Sequence, residues 1–167
     1  AQDPALFTFL RDCPPTSVVS PGLERDELSR APAHTFGLIV VQAGNGAQAD
    51  PSLYTEDAMR AYLSKLASGG VLAFDITLGG VDLHQPVASA AIANGLTCFA
   101  RDDLDPSVDR LLAGIYPSSW VACAKGPGLL GEIGGDPRWH ALDGSADAAW
   151  ADDRIDLMGG LDLGSNA

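Results

Sequence analysis

The side chains best placed to do chemistry stand at the ends of two apolar runs. Phe36-Gly-Leu-Ile-Val-Val-Gln42 leads into Ala-Gly-Asn45, so a buried parallel strand would deliver Gln42 to the mouth of a crevice. The run Val71 to Ile76 brings Asp75 to a comparable place, and Asp50 and Tyr54 follow the first run closely. Proton abstraction from a substrate needs a carboxylate or another base at such a position. The neutral amide of Gln42 can only share hydrogen bonds. Asp75 is read either as a ligand contact or as a carboxylate satisfied by loop amides, and Tyr54 either as a flank to a ligand or as packing.

Strands and helices must hold these groups in place. Ala5 to Arg11 reads as a short helix stopped by Pro14-Pro15, Thr16 to Val19 as a short strand, and Leu23 to Arg30 as a helix. After the Phe36 to Val41 strand, Thr55 can cap a helix running to about Ala67. Ala58, Met59, Tyr62, Leu63 and Leu66 form its apolar face, and Gly69-Gly70 would end it. A helix begins near Leu83 and closes at Asn94-Gly95, with Val87, Ala90, Ala91 and Ala93 along a slim face. Leu96 to Ala100 and Trp120 to Ala124 complete the strands. Strands alternating with helices predict parallel α/β layering. Beyond Lys125 the periodicity fades, and an irregular tail is expected.

The 167 residues suit one domain, and 46% apolar content with 19% charge is an ordinary globular composition. A net charge of −12 disfavours nucleic acid and anionic membrane surfaces as partners, while tolerating a cationic ligand such as a polyamine. No apolar run approaches the ~18–20 residues of a membrane span, and no signal peptide opens the chain. The start at Ala1-Gln-Asp-Pro, without Met, suggests a fragment. Cys13, Cys98 and Cys123 include no C-x-x-C, and two lie in strand-like runs, so they read as buried free thiols in a reducing, cytoplasmic compartment. The spacing of these with His34, His84 and His140 supports no zinc site.

Other constellations read as structural. Gly126-Pro-Gly-Leu-Leu-Gly131 spells a dinucleotide fingerprint, but the glycines and Pro127 cannot sustain the helix whose N-terminus would hold a pyrophosphate. Asp102, Asp103 and Asp105 read as a solvated or capping acidic loop, and His84 as a surface or capping residue rather than a base. Trp120, Trp139 and Trp150 read as packing.

Several segments in order resemble the spermidine synthase family. They are Gln2-Asp-Pro-Ala-Leu-Phe-Thr-Phe-Leu-Arg-Asp-Cys13, the Phe36 strand, Leu53-Tyr-Thr-Glu56 and Leu66-Ala-Ser-Gly-Gly-Val-Leu-Ala-Phe74. Tyr116-Pro-Ser-Ser-Trp-Val121, Asp136-Pro-Arg-Trp139 and Trp150-Ala-Asp-Asp153 continue the likeness. It covers residues 1–158, with 159–167 left as a flexible tail, and is strongest toward bacterial spermidine synthase-like domains, some of them fused to membrane segments. The resemblance implies an α/β, mostly parallel, methyltransferase-like Rossmann sheet that lacks the first strands of the full fold. Working members transfer an aminopropyl group from decarboxylated S-adenosylmethionine to putrescine. The glycine-rich nucleotide loop and the acid that holds the ribose would lie ahead of this polypeptide.

The family's remaining acids are replaced here. Its third-strand Gly-Asp motif aligns with Val18-Val-Ser-Pro-Gly22, so Gly22 stands near an acid's place. Its fourth strand ends in Asp-x-x-Asp-Pro, and the first Asp is the base that deprotonates the attacking amine. The ungapped match puts Gln42 and Asn45 at those positions, or Ala47 at the second where the spacing is wider. Asp50 and Asp75 are the acids that could substitute. Loss of a general base typically costs about 10²–10⁴ in rate.

The expectation is therefore a spermidine synthase-like domain, catalytically inactive as this chain, with a binding or assembly role. The alternative is an active aminopropyltransferase or S-adenosylmethionine-dependent methyltransferase completed by a missing amino-terminal half or a partner. An unpaired edge on the Phe36 strand would then favour a homodimer or that missing half.

Overall fold

The computed structural model describes residues 24–42, 50–77 and 81–157. The helix expected over 5–11, the strand over 16–19, Cys13, Gly22, Asn45, Ala47 and the tail 159–167 lie outside the described residues. In chain order the elements are α1 (Glu24–Arg30), β1 (Phe36–Gln42), a 3-10 turn (Pro51–Tyr54), α2 (Glu56–Lys65) and β2 (Leu66–Asp75). Then come α3 (His84–Ala93), β3 (Thr97–Asp103), α4 (Val108–Leu112), β4 (Ser118–Ala124), a 3-10 stretch (Pro127–Gly135) and β5 (His140–Ala141).

Local chemistry explains most boundaries. The Thr55 side chain accepts from Ala58 N, which caps α2; Glu56 and Asp57 occupy its first turn and Lys65 its last, each favourable to the helix dipole. α2 ends at Lys65, short of the expected Ala67, because Leu66 is extended and its N–H returns to the Tyr62 carbonyl. Gly69 and Gly70 therefore lie inside an irregular start of β2 rather than at a helix end. The register there jumps from Phe36–Leu66 to Leu38–Val71, and Gly69 takes a φ of +81° that favours glycine.

The sheet runs β1-β2-β4-β3-β5. Only β1–β2 is parallel; β2–β4, β3–β4 and β3–β5 are antiparallel. The expectation of a mostly parallel sheet is thus corrected to a mixed α/β sheet. The helix rule did hold for direction, since β1, β2 and β3 all point the same way. It failed for pairing, because β4 turns back and inserts between β2 and β3. The connection over 104–117 holds only the five-residue α4, which buries no side chain and covers no sheet face. A parallel return needs such a covering crossover.

One face of the sheet carries the main core. Val41, Leu72, Phe74, Cys98, Ala100, Val121 and Cys123 pack there under Met59 and Tyr62 of α2 and Val87, Ala90 and Ala91 of α3. The small residues of α3 also let the chain after β5 approach closely. Trp150 joins this core, its carbonyl accepting from Glu56 N at 2.7 Å. The expected irregular tail is therefore irregular in conformation but docked. On the opposite face Leu130, Ile133 and Trp139 cover Ala122, Ala124, Phe99 and Val71. That cover stops short of β1, where Leu38 and Val40 remain 57% and 52% exposed.

Cys98 and Cys123 face each other across β3–β4, with Cα atoms 4.2 Å apart, and are joined by a disulfide. The reading of both as free thiols is corrected. Twenty-five residues separate them in sequence, and only the hairpin-like return of β4 makes them neighbours. The inference to a reducing compartment loses its basis with them. Among the described residues no helix is long and apolar enough to cross a membrane.

Candidate functional site

The carboxyl ends of β1, β2 and β3 and the start of β4 meet at one end of the sheet, where open α/β sheets place ligand-contacting groups. Gln42 and Asp75 are register partners on the parallel pair. Gln42 Nε2 donates to Asp75 Oδ2 at 2.8 Å. The other oxygen, Oδ1, accepts from Thr77 N at 3.0 Å. Asp75 is thus an acceptor held by two donors, half-exposed, with lone pairs left for a cation or another donor. The reading of Asp75 as a carboxylate satisfied by amides is met in part, by Thr77 N and the Gln42 side chain.

The other predicted site residues separate. Asp50 caps the 3-10 turn, its Oδ1 accepting from Ser52 N at 2.9 Å. Tyr54 is only 1% exposed; its ring lies 6.4 Å from that of Phe74, and its hydroxyl reaches the Asp75 carbonyl at 3.5 Å. It supports the strand end from beneath. Asn45 and Gly22 lie outside the described residues.

A second polar cluster adjoins Asp75. Ser119 N donates to Thr77 Oγ1 at 2.8 Å, and the Ser119 carbonyl accepts from Ile76 N at 2.9 Å. The Ser119 hydroxyl donates to Asp102 Oδ1, which also lies 3.0 Å from His84 Nε2. His84 Nδ1 meets Asp82 Oδ1 at 2.6 Å. The expectation of an acidic loop is corrected in part: Asp102 and Asp103 end β3 and are both paired, while Asp102 and Asp105 are exposed as expected. Asp103 takes a bidentate contact from Arg110, which holds its carboxyl below the usual carboxylate range. His84, expected as a surface or capping residue rather than a base, begins α3 and pairs with Asp82 and Asp102.

Asp82, His84 and Ser119 have the order of a hydrolytic triad but not its chemistry. His84 Nε2 faces Asp102 at 3.0 Å, and the Ser119 hydroxyl, 3.4 Å from Nε2, donates to that same carboxylate. Ser119 is also only 4% exposed. A serine nucleophile needs a free imidazole lone pair and an open approach. Neither is present.

Thr77, Asp102 and Ser119 were not singled out as site residues. The signal available was the repeated ending of apolar runs in polar residues, which marks a strand end but not its neighbours. Gly126-Pro-Gly-Leu-Leu-Gly131 forms 3-10 turns whose Leu130 is buried against the sheet, in line with its structural reading. Among the described residues no group of three His, Cys, Asp or Glu side chains is arranged to hold a metal.

Asp152 knits the end of the chain to the helices. Both its oxygens lie 2.9 Å from Arg25 Nη1, the Thr55 hydroxyl donates to Oδ1 at 2.6 Å, and Asp152 N donates to Asp57 Oδ2 at 3.0 Å. That last bond, with Arg60, lowers the Asp57 carboxyl below its ordinary value. No protein-family model matches the sequence, and no characterised protein matches it.

Proposed function

We propose that this chain is a spermidine synthase-like domain, the carboxyl-terminal portion of a methyltransferase-like Rossmann fold, that does not transfer aminopropyl groups by itself and serves a binding or assembly role. One observation carries this reading: an amide, Gln42, ends β1 where the attacking amine's base would stand, and it is hydrogen-bonded to Asp75. An amide cannot take the proton. The parallel β1–α2–β2 unit supports the fold assignment.

The second reading, an aminopropyltransferase or methyltransferase completed by an amino-terminal half or partner, is favoured by Asp75 itself. Its half-exposed carboxylate at the crevice could bind an amine cation such as putrescine. S-adenosylmethionine or its decarboxylated form would be the cofactor in that case. Calorimetric titration with both nucleotides and with putrescine separates the readings. Micromolar nucleotide binding would favour the second; putrescine binding alone would favour a polyamine-binding domain.

For partners, the uncharged β1 has no neighbour beyond β2 among the described strands, and Leu38 and Val40 are exposed on it. This supports a homodimer or docking of a missing half through that edge. A strictly monomeric mass by light scattering, with no partner recovered, would count against it. The Cys98–Cys123 bond supports an oxidising compartment in place of the cytoplasm.

A further inference from the structure

His84 is gripped on both ring nitrogens by carboxylates, and nothing in the proposed function uses it. Asp82, in the connection leading from β2 to α3, meets Nδ1 at 2.6 Å, and Asp102, at the end of β3, meets Nε2 at 3.0 Å. Donating to both at once requires a proton on each nitrogen, so the arrangement belongs to the imidazolium; the neutral ring has one N–H. A fallback partner is already in place. The Ser119 hydroxyl, now donating to Asp102, lies 3.4 Å from Nε2. The groups facing the ring are Asp82, Asp102 of β3, Ser119 of β4 and His140 of β5, whose ring centroid is 6.5 Å away.

We propose that His84 is a two-position proton latch at the crevice edge. Protonated, it ties the β2–α3 connection to β3 through Asp82 and Asp102. On losing the Nε2 proton to solvent, the ring keeps Nδ1–H on Asp82, and its Nε2 accepts the Ser119 hydroxyl. That hydroxyl keeps its own proton and only changes acceptor. Asp102, 31% exposed, gives up both donors and takes water instead.

The change reaches Asp75 through short bonds. Ser119 N is bonded to Thr77 Oγ1 at 2.8 Å, and Thr77 N is bonded to Asp75 Oδ1 at 3.0 Å. The latch is thus linked to the Asp75 carboxylate through Ser119 and Thr77. It depends on this hydrogen-bond network and not on the chain's relation to spermidine synthases.

Nitrogen-15 NMR of the intact labelled chain between pH 5 and 9 tests it. The expected result is two protonated ring nitrogens on His84 at low pH and one, Nδ1, at high pH. The Thr77 and Ser119 amide resonances should move with the same midpoint. Ser119→Ala should leave the ring transition in place but abolish the Thr77 response. A neutral ring protonated on Nε2, a Nε2 unprotonated throughout, or Thr77 and Ser119 amides that ignore the transition would overturn the proposal. The wild-type titration alone decides these points if a variant does not fold.

Discussion

Gln42 and Asp75 face one another across the sheet's single parallel pair, amide to carboxylate at 2.8 Å. A carboxylate in place of Gln42 would stand directly against a second one. The amide instead donates to the carboxylate, so the pair carries one charge rather than two.

Gln42→Glu should accordingly destabilise the fold at neutral pH by about 0.5–1 kcal/mol, since like charges directly opposite on a sheet repel. Each carboxyl of the pair would hold its proton more tightly in the folded state, so the deficit should shrink as the pH falls toward about 4. Urea denaturation of both proteins at pH 7.5 and pH 4.5 measures this. An equal deficit at the two pH values would refute the charge argument.

Reduction of the Cys98–Cys123 bond, or the double change to Ala, should lower stability by about 2–4 kcal/mol, because the bond restricts the unfolded chain. Denaturation with and without reductant reads the difference. Thiol labelling of the native, unreduced chain should leave Cys98 and Cys123 unmodified.

Thr55→Ala removes the cap of α2 and a 2.6 Å bond to Asp152 together. The cap alone is worth about 1–2 kcal/mol, and Thr55 is fully buried. Asp152→Ala should give a non-additive result when combined with it, since both act in one network. A double-mutant cycle by urea denaturation checks this; full additivity would show that the two residues act independently.

Gly144→Ala should destabilise although it adds one methyl. The new Cβ would stand 2.8 Å from Ser89 N and 2.9 Å from the Ala88 carbonyl carbon, both backbone atoms of α3. Neither can move without shifting a buried helix, so a loss of about 1–3 kcal/mol is expected. Thermal unfolding beside Gly126→Ala, where a Cβ meets nothing within 4 Å, provides the comparison.

Acid should loosen the fold in a defined window. Arg138 lowers the Asp136 carboxyl from 3.8 to about 2, and the Asp57 and Asp103 carboxyls are also lowered. Groups depressed in the folded state contribute stability above their unfolded value and lose it as the pH falls through the folded one. For Asp136 that window runs from 3.8 down to about 2. Arg138→Gln should flatten the pH dependence of stability there.

Much of this fold was legible in the sequence because burial along an element follows local periodicity. The Thr55 cap, the apolar face of α2, the strands at Phe36 and Val71 and the turn at Asn94-Gly95 all depend on near neighbours. So did the arrival of Gln42 and Asp75 at strand ends. What they would meet there was not legible. Thr77, Asp102 and Ser119 belong to three separate segments, and their polar runs resemble ordinary solvated termini.

The sequence by itself determined most of the strands and helices among the described residues and that an amide and an acid would end two of the strands. Tertiary structure decided the insertion of β4 between β2 and β3. From that one insertion follow the Cys98–Cys123 bond and the meeting of Ser119 with Asp102 and His84. The physical reason is that alternation along a strand encodes which face is buried, whereas the partner across it depends on how distant segments close the sheet. A strand with two apolar neighbours reads the same in either order.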